Sequence, residues 1–540
     1  MPTRTVVTCV ALARRTLAVT AIGLLAACGG DGGSGGGDGA TVIVGMRSDF
    51  GSFNPVTSSG QYDLEVMNHA LFTPLVQYDE NLDVVPHLAE SWELIGDTGV
   101  TFRLRRDVRW HDGQPVTARD VEFTFNLAKN EQTASLLGSA FLADVASAEV
   151  VDDYTITFHF VRPHAQALED FWWPPLPRHL LEGVAPAELR NAPFNRQPVG
   201  SGPFRFAQWR SNEQLVIERN PDFPEGLGGP AAARRVVFRV VPEASTMLTE
   251  LLTDNVHVDI PVLPDQVGQL RDNAEVRLHS FPGRTVYYLG WNNARPPFDD
   301  PTVRLALAHA IDRQEIVDAL LYGEGAVATS TIPPWHRLYP DVEPLAHDPA
   351  RAQQLLEQAG WVDRNGDGVR ENAQGQRLTF TILSSDDALR RAVVEVLQSQ
   401  LRGVGVDAQV RVMEFQTMLQ RHRERDFDAV FTNWVLDNFQ VASAPMALFH
   451  SREAATPLSA NRSSVRIPEL DAVLERGAAA TDEATQRAAW REMTELLQRE
   501  QPVTFMFWLN ELAASRADMS GVEMDPRGEF QSIARWNIGS

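Results

Sequence analysis

Hydrophobic residues follow two different periods along this chain, and together they predict strands and helices in succession. At 100–104 hydrophobic residues alternate with polar ones, which is typical of a half-buried strand. Between 386 and 402 they recur at helical spacing, and Gly403 follows as the expected helix end. A second alternating stretch, 406–412, comes directly after that helix. Helices and strands that succeed one another in this way indicate an α/β protein.

The same patterns divide the chain into two lobes. Short strands and turns between about 74 and 197 predict a small, compact domain, and the Gly- and Pro-containing stretch 198–204 reads as a connector. Strands after that connector would return the chain to the first lobe, and the apolar run 503–508 would do so again. We therefore predict a first lobe with a small α+β domain inserted in it, and a second lobe. The expected boundaries are 41–73, 198–288 and 509–540 for lobe I, 74–197 for the inserted domain and 289–508 for lobe II.

The first residues are typical of an exported protein. Residues 1–27 carry three Arg residues followed by a short apolar run, which predicts a signal peptide. The segment that ends at Cys28 resembles a bacterial lipobox, so we expect cleavage before Cys28 and a lipid on its thiol. Ordinary signal cleavage beside an incidental Cys is the alternative. Residues 28–40 then form a predicted flexible tether, because 29–39 contain only Gly, Asp and Ser.

Composition narrows the function. The chain has 540 residues, enough for two or three lobes, and a formal net charge of -23, which argues against a nucleic-acid partner. Its two Cys are Cys9, lost with the signal, and Cys28, so no thiol nucleophile or Cys-based metal site is expected. The His residues are scattered, and no nucleophile elbow, phosphate-binding loop or paired carboxylates stand out. We therefore predict no enzyme activity, no metal and no cofactor.

One acidic loop has two interpretations. Residues 363–368 resemble the start of a calcium loop, but the twelfth position, where such a loop needs Glu, is Gln374. A tight hairpin turn built on Asn-Gly and Asp-Gly is the preferred interpretation. Calcium binding remains open.

Aromatic residues near strand ends are the candidate pocket walls. Residues 427–437, with hydrophobic residues up to Trp434, predict a buried strand that ends in a loop, and Asp437 follows Trp434 by three residues. A Trp face and a carboxylate at a strand end suit a pocket that takes a cationic group. Tyr288 and Trp291 also fall near a predicted lobe crossing. The alternative is that these aromatics are ordinary core and that Asp437 is an exposed loop acid.

Three segments resemble a known family. They are 86–121, with the run Trp-His-Asp-Gly-Gln-Pro-Val-Thr at 110–117, then 198–204 followed by Glu-Arg-Asn-Pro at 218–221, and 292–304. These segments resemble the extracellular solute-binding proteins of family 5, the peptide-, dipeptide- and nickel-binding proteins that feed ABC importers. The resemblance implies a periplasmic-binding-protein type II-like α/β fold with two lobes around a cleft and a small domain inserted in the first.

The resemblance also implies a ligand site. In the family's peptide binders, an Asp three residues after a strand-end Trp pairs with the ligand's α-ammonium, and Trp434 and Asp437 have that spacing. A loop near the first strand pairs with the ligand backbone, and this loop is Ser59, Gly60 and Gln61 here. Asn433 stands where peptide binders usually have Gly, and the stretch after Asp437 also departs from the usual pattern.

The expected ligand is therefore a peptide, with a metal chelate, an opine or an oligosaccharide as alternatives on the same fold. An exported, lipid-anchored hydrolase is the less favoured class. The expected partners are an ABC permease and, through the lipid, a membrane. We expect a monomer at the extracytoplasmic face of the cell membrane.

Overall fold

The computed structural model describes residues 39–161, 167–436, 439, 441–456 and 459–539. The predicted signal segment, Cys28 and residues 29–38 of the tether lie outside this range. Within it, the predicted mixture of strands and helices is confirmed. No helix in the described ranges combines the length and the apolar character needed to cross a membrane.

The strands in the described part of the chain are β1 Thr41–Met46, β2 Val76–Tyr78, β3 Val84–Pro86, β4 Ala89–Leu94, β5 Gly99–Leu104, β6 Val145–Asp152, β7 Thr155–Phe160, β8 Phe204–Arg210, β9 Gln214–Arg219, β10 Arg235–Val240, β11 Val258–Ile260, β12 Val276–Trp291, β13 Gly325–Val327, β14 Thr379–Ser385, β15 Asp407–Met413, β16 Ala429–Val435, β17 Val503–Arg516, β18 Met519–Ser520 and β19 Asn537–Ile538. The strands predicted near 100–104 and 406–412 correspond to β5 and β15.

The α-helices in the same range are α1 Gln61–Val66, α2 Ala118–Lys129, α3 Arg178–Leu181, α4 Ala244–Leu252, α5 Val267–Arg271, α6 Pro301–Ala310, α7 Arg313–Leu320, α8 Pro349–Gln358, α9 Ala388–Arg402, α10 Phe415–Arg423, α11 Ser443–Phe449, α12 Ser451–Ala455, α13 Pro468–Ala479 and α14 Glu483–Glu500. Helix α9 is the helix predicted at 386–402. Its first turn is capped by Asp387, which accepts a hydrogen bond from the backbone N–H of Arg390.

One large sheet runs through most of the fold. Its strand order is β15-β14-β16-β12-β17-β11-β1-β10-β9-β8, with β13 added beside β17. The two long strands β12 and β17 lie antiparallel at its centre, and their register shifts between Pro282 and Thr285. Before the shift, β17 also pairs with β11, and after it β12 also pairs with β16. Strands β12 and β17 therefore connect the part of the sheet that contains β16 with the part that contains β11.

A smaller antiparallel sheet of strands β4-β5-β7-β6 lies within residues 89–160. It falls inside the stretch 74–197 that was predicted as an inserted domain. The predicted lobe boundaries at 288–289 and 508–509 fall inside β12 and β17, so the chain crosses there without leaving the sheet. The division into lobes stays a prediction.

Three main groups of buried hydrophobic side chains form the core of the described part of the chain. The first core joins β1, the turn after α1 and the four-stranded sheet, and includes Phe53, Phe102 and Phe530. The second core includes Leu289, Trp291 and Phe431, and the third core includes Val286, Tyr288 and Trp490. Successive residues of β12 enter the second and third cores in turn, because strand side chains alternate between faces.

The stretch 198–204 is tightly packed. The backbone N–H groups of Ser201 and Gly202 both donate to the carbonyl of Leu71, at 3.0 and 2.9 Å. A Cβ on Gly200 would lie 1.8 Å from that same carbonyl oxygen, so only Gly fits. This stretch therefore packs against the end of the π-helical turn Met67–Leu71, which follows α1.

In the acidic loop at 363–368, an Asp side chain pairs with backbone N–H groups of the same loop. Asp363 accepts hydrogen bonds from the backbone N–H groups of Gly366 and Gly368, at 2.8 and 3.1 Å. Val362 and Glu371 pair across it as an antiparallel bridge, as the hairpin interpretation expects. In the described ranges, no group of three or more His, Cys, Asp or Glu side chains is arranged to hold a metal ion.

Candidate ligand-binding site

A cavity of about 370 Å³ lies between the first core and the segment that follows β16. Its volume falls in the range of small-ligand pockets. One side is formed by α1 and the π-helical turn Met67–Leu71, and the facing side by Val435, Leu436 and Phe439. Arg284 reaches it from β12. Strands β12 and β16 of the large sheet thus contribute to its wall, and the rest comes from the α1 region, β2 and the segments around Trp172 and Arg527.

Helix α1 presents one face to this cavity. Gln61, Leu64, Glu65 and Asn68 line it, and their spacing of three and four residues places them on one side of a helix. The opposite side of α1 is held by Asp63, whose carboxylate accepts from the backbone N–H groups of Gly51 and Ser52 and from the hydroxyl of Ser58. Burial nevertheless raises the pKa of Asp63 above its usual value.

Aromatic rings form the apolar part of the wall. Tyr78 and Phe439 lie edge to face, with 4.7 Å between ring centroids. Phe141 and Trp172 make a similar edge-to-face pair at 5.4 Å. Such pairs fix ring orientation as well as burying apolar surface. The wall is therefore shaped before any ligand enters.

Two buried polar atoms on the cavity wall lack a hydrogen-bond partner among the described residues. They are the side-chain oxygen Oδ1 of Asn68 and the indole Nε1 of Trp172. An unpartnered buried polar atom is costly, so such atoms usually have a reason. Both atoms are closed to solvent, so they lie behind the cavity surface that the rest of their side chains form.

The charged groups on the wall are Glu65, Arg284 and Arg527. Arg284 Nη2 lies 3.4 Å from Glu65 Oε1. The Arg527 guanidinium donates three hydrogen bonds to the carboxylate of Asp525, at 3.0, 3.2 and 2.6 Å. His69, also on the wall, is uncharged at neutral pH, because burial lowers its pKa to about 4.

The structure brings two of the predicted site residues to the cavity. Ser59 and Gln61 line it. Gly60, between them, is exposed and faces a second hollow formed by residues 48–52 and 57–63. Asp437 lies outside the described residues, as do Asn438 and Gln440.

The other predicted residues lie elsewhere. Trp434 is half-buried against the third core, and it is the next residue, Val435, that lines the cavity. Trp434 and Val435 point to opposite faces of β16, and here the cavity lies on the side of Val435. The side-chain oxygen of Asn433 accepts a hydrogen bond from Arg390 Nη2, a buried guanidinium.

Tyr288 and Trp291 are core residues in this structure. Tyr288 is 5 % exposed and Trp291 is fully buried. The indole of Trp291 stacks on Phe298 at 5.0 Å and donates to the hydroxyl of Thr504 at 3.1 Å. Because both faces of β12 are covered at this point, neither ring reaches the cavity.

A mixed α/β fold with a cavity of this size and lining is the arrangement expected of a protein that binds a small solute. Residues 83–456 match the profile of the family described as "Bacterial extracellular solute-binding proteins, family 5 Middle". The match spans well over half of the chain. The chain therefore belongs to family 5 of the bacterial extracellular solute-binding proteins, as the sequence resemblance implied.

Relatives that align with nearly the whole chain support this family assignment. The chain is similar to the oligopeptide-binding protein AppA of Bacillus subtilis, with 28% identity over 511 residues that cover 92% of this chain and 91% of AppA. It is also similar to the dipeptide-binding protein of Escherichia coli, with 26% identity that covers 89% of this chain and 92% of the relative.

Solved structures confirm the type II periplasmic-binding-protein fold. AppA of Bacillus subtilis in complex with a nonapeptide matches with a TM-score of 0.76 and 26% identity, over 93% of this chain and 99% of AppA. The structure of NikZ from Campylobacter jejuni in complex with Ni(L-His) matches with a TM-score of 0.77 at 23% identity, over 92% of this chain and 99% of NikZ.

Several residues on the wall were not predicted. Glu65, Asn68 and Arg284 lie in segments whose sequence patterns indicate only helix and strand. Tyr78 and Trp172 lie in the stretch that reads as a structural small domain. The sequence offered one signal for these wall residues: a single helical face carries Leu64 together with Gln61, Glu65 and Asn68. A surface helix seldom places polar residues on its buried side.

Proposed function

We propose that this chain is the peptide-binding component of an ABC importer. The observation that carries the proposal is the cavity, whose wall combines aromatic rings with the polar side chains of Ser59, Gln61 and Asn68. A peptide backbone offers a donor and an acceptor at each residue, and polar side chains of this kind can pair with both. The oligopeptide- and dipeptide-binding relatives, which align over nearly the whole chain, support the same ligand class.

The peptide would lie beside the start of α1. Ser59 and Gln61 line the cavity from an exposed loop, where a peptide can pair with the backbone as an added strand. Asp437 would pair with the ligand's α-ammonium. That role rests on its spacing from Trp434 in the sequence and on its position one residue after Leu436, which lines the cavity.

Capture would involve closure of the two ends of the large sheet around the peptide. Strands β12 and β17 cross between these ends, and their register shift between Pro282 and Thr285 is the expected bending point. The loaded protein, a monomer, would then deliver the peptide to a membrane permease. A lipid on Cys28 and the Gly-rich tether would keep it at the extracytoplasmic face of the membrane.

Native mass spectrometry of the full chain, purified in detergent from a bacterial host, tests the ligand class. The protein is incubated with an equimolar mixture of peptides of different lengths, and retained peptides are identified by mass. We expect complexes with one peptide per chain. Retention of no peptide of any length contradicts the proposal.

Calorimetry with paired ligands tests Asp437. A retained peptide is compared with its N-acetylated form, on the wild type and on Asp437→Asn, with the exposed Asp97→Asn as the control. Acetylation should weaken binding to the wild type by about 2 to 5 kcal/mol, because it removes the partner of a desolvated carboxylate. It should have little effect on Asp437→Asn. Equal losses in both proteins would remove Asp437 from the ammonium site.

The anchor has its own test. The mass of the intact mature chain should correspond to cleavage before Cys28 plus a diacylglyceryl group, and Cys28→Ala should move the protein from the membrane fraction to the soluble fraction. An unmodified Cys28 would contradict this part of the proposal and leave the ligand class unaffected.

A further inference from the structure

The aromatic rings on the cavity wall are connected to one another. Phe141 and Trp172 are in edge-to-face contact, and so are Tyr78 and Phe439. The two pairs are linked through the hydroxyl of Tyr78, which donates to the carbonyl of Glu169 at 3.4 Å, three residues before Trp172. All four rings line the same cavity. They therefore present a ligand with one aromatic surface that comes from several segments of the chain.

Two large aliphatic side chains on the same wall remain exposed. Leu136 is 45 % exposed and Val435 is 41 % exposed, and both line the cavity. Leu136 precedes the π-helical turn that ends in Phe141, and Val435 is the last residue of β16. Single exposed aliphatic residues are common on protein surfaces, but apolar side chains that meet in one cavity mark a place where a ligand covers them.

The charged end of the cavity consists of Glu65, Arg284 and Gln61. Glu65 Oε1 has Arg284 Nη2 and Gln61 Nε2 near it, each at 3.4 Å. Glu65 Oε2 accepts from the backbone N–H groups of Glu529 and Phe530, at 2.9 and 3.3 Å. Both oxygens of this carboxylate therefore already have partners within the chain.

Neither Arg527 nor His69 offers a free charge to a ligand. The guanidinium of Arg527 is bound to the carboxylate of Asp525, and His69 is neutral because burial lowers its pKa to about 4. A charged side chain of a ligand would give up water at this part of the wall without gaining an unpaired opposite charge. An apolar side chain would instead cover apolar surface that is exposed in the ligand-free protein.

We propose that the cavity holds a large apolar side chain of the bound peptide in an apolar subsite. The apolar subsite consists of Leu136, Phe141, Trp172, Val435 and Phe439. It is separate from the ammonium site expected at Asp437, and it makes the protein selective for peptides that carry a leucine-like or aromatic residue. The inference rests on the proposed function, because it names the class of peptide that the cavity takes.

Leucine and asparagine peptides test the apolar subsite, because the two side chains branch at the same carbon and have similar shapes, but only asparagine is polar. Tetrapeptides that carry either residue at each position in turn, among alanines, are titrated into the full chain by calorimetry. We expect one position at which the leucine peptide binds about tenfold or more tightly than the asparagine peptide, because burial of a leucine side chain is favourable by that amount.

Two leucines of nearly equal exposure provide matched variants. Leu136→Asn places an amide in the apolar subsite and should reduce the preference for leucine several-fold, with little change in the affinity for the asparagine peptide. Leu180, on α3, is 44 % exposed and is not among the residues that line the cavity. Leu180→Asn should therefore keep the full preference. Val435→Thr, which keeps the shape of the side chain, is the second variant if Leu136→Asn fails to fold, and it should also reduce the preference.

The outcomes separate the two proposals. Equal affinity for leucine and asparagine peptides at every position overturns the apolar subsite and leaves peptide binding intact. A preference that survives unchanged in the folded Leu136→Asn or Val435→Thr variant, or that is lost equally in Leu180→Asn, overturns it as well. Binding of no tetrapeptide at all overturns both proposals.

Discussion

The ring of Tyr78 stands edge-on to the ring of Phe439, with 4.7 Å between their centroids. Tyr78 ends β2 beside the first core, whereas Phe439 follows β16 at the other end of the large sheet. Phe439 also contacts Trp335, at 5.8 Å, and the indole of Trp335 donates to the carbonyl of Gly283 at 3.1 Å. Phe439 therefore joins both sides of the cavity in the conformation described here.

Replacing Phe439 by Ala should open the ligand-free protein. Each aromatic contact contributes about 0.5 to 1.5 kcal/mol beyond buried area, so loss of both weakens the link across the cavity. Small-angle X-ray scattering of the full chain should show a larger radius of gyration for Phe439→Ala than for the wild type. Phe439→Leu keeps the apolar bulk and should fall between them. Identical scattering from all three proteins would mean that Phe439 does not hold the two sides together.

Asn433 should matter for stability rather than for binding. Its side-chain oxygen accepts from Arg390, whose guanidinium is buried between the rings of Tyr287 and Phe415, at 5.6 and 5.4 Å. Asn433→Ala leaves that cation short of an acceptor and should lower the free energy of unfolding by about 1 to 3 kcal/mol. Asn433→Asp keeps an acceptor and should be no less stable than the wild type, as measured by urea denaturation. A stable Asn433→Ala with weakened peptide binding would instead place Asn433 in the ligand site.

Two tryptophans provide a matched comparison between core and cavity. Trp291→Phe removes the bond to Thr504 and part of a stacked ring, so it should cost about 1 to 3 kcal/mol of stability and leave peptide affinity unchanged. Trp172→Phe reduces the aromatic surface of the cavity wall and should weaken peptide binding with a smaller loss of stability. Denaturation and calorimetry on both variants check this pattern, and the reverse pattern would contradict the assignment of the two rings.

Asp259 should make stability depend on pH. It is fully buried on β11, neither side-chain oxygen has a hydrogen-bond partner among the described residues, and Arg47 lies 3.7 Å away. Burial raises its pKa to about 7, although Arg47 opposes the shift. The folded state therefore holds a proton that the unfolded state releases near its ordinary pKa of about 4. Stability from this group is full below about pH 4 and is lost as the pH rises to about 7.

The shift corresponds to about 4 kcal/mol at most. Asp259→Asn, which cannot ionise, should thus gain stability relative to the wild type between pH 4 and pH 7, as followed by urea denaturation across that range. The exposed Asp97→Asn should track the wild type. Parallel pH profiles for Asp259→Asn and the wild type would show that the carboxyl keeps its usual pKa.

Local patterns in the sequence were sufficient for the elements and for part of the cavity wall. Periodicity alone predicts α9 and β15, and the family resemblance leads to Ser59 and Gln61. The face that a strand residue occupies was harder to predict. Trp434 and Val435 are neighbours, but only Val435 reaches the cavity, and Tyr288 and Trp291 fill opposite faces of a strand that is covered on both sides.

The charged end of the cavity could not have been found from local sequence. Glu65 and Arg284 are 219 positions apart, and Glu65 and Glu529 are 464 apart. No periodicity or motif spans such distances, and each of these residues alone is an ordinary charged residue in a helix or strand. Only the crossing of β12 and β17 beside α1 brings them together.

The contact between Glu65 and the backbone of Glu529 also sets an order of assembly. The ring of Phe530 packs on Tyr62 of α1 and Phe238 of β10, at 6.1 and 5.4 Å, so the segment after β18 lies against α1 and the large sheet. A ribosome makes this segment 464 residues after Glu65, and a chain exported N-terminus first delivers it late. The wall of the cavity, which includes Arg527 and Gln531 of this segment, is therefore completed only when synthesis of the chain is almost finished.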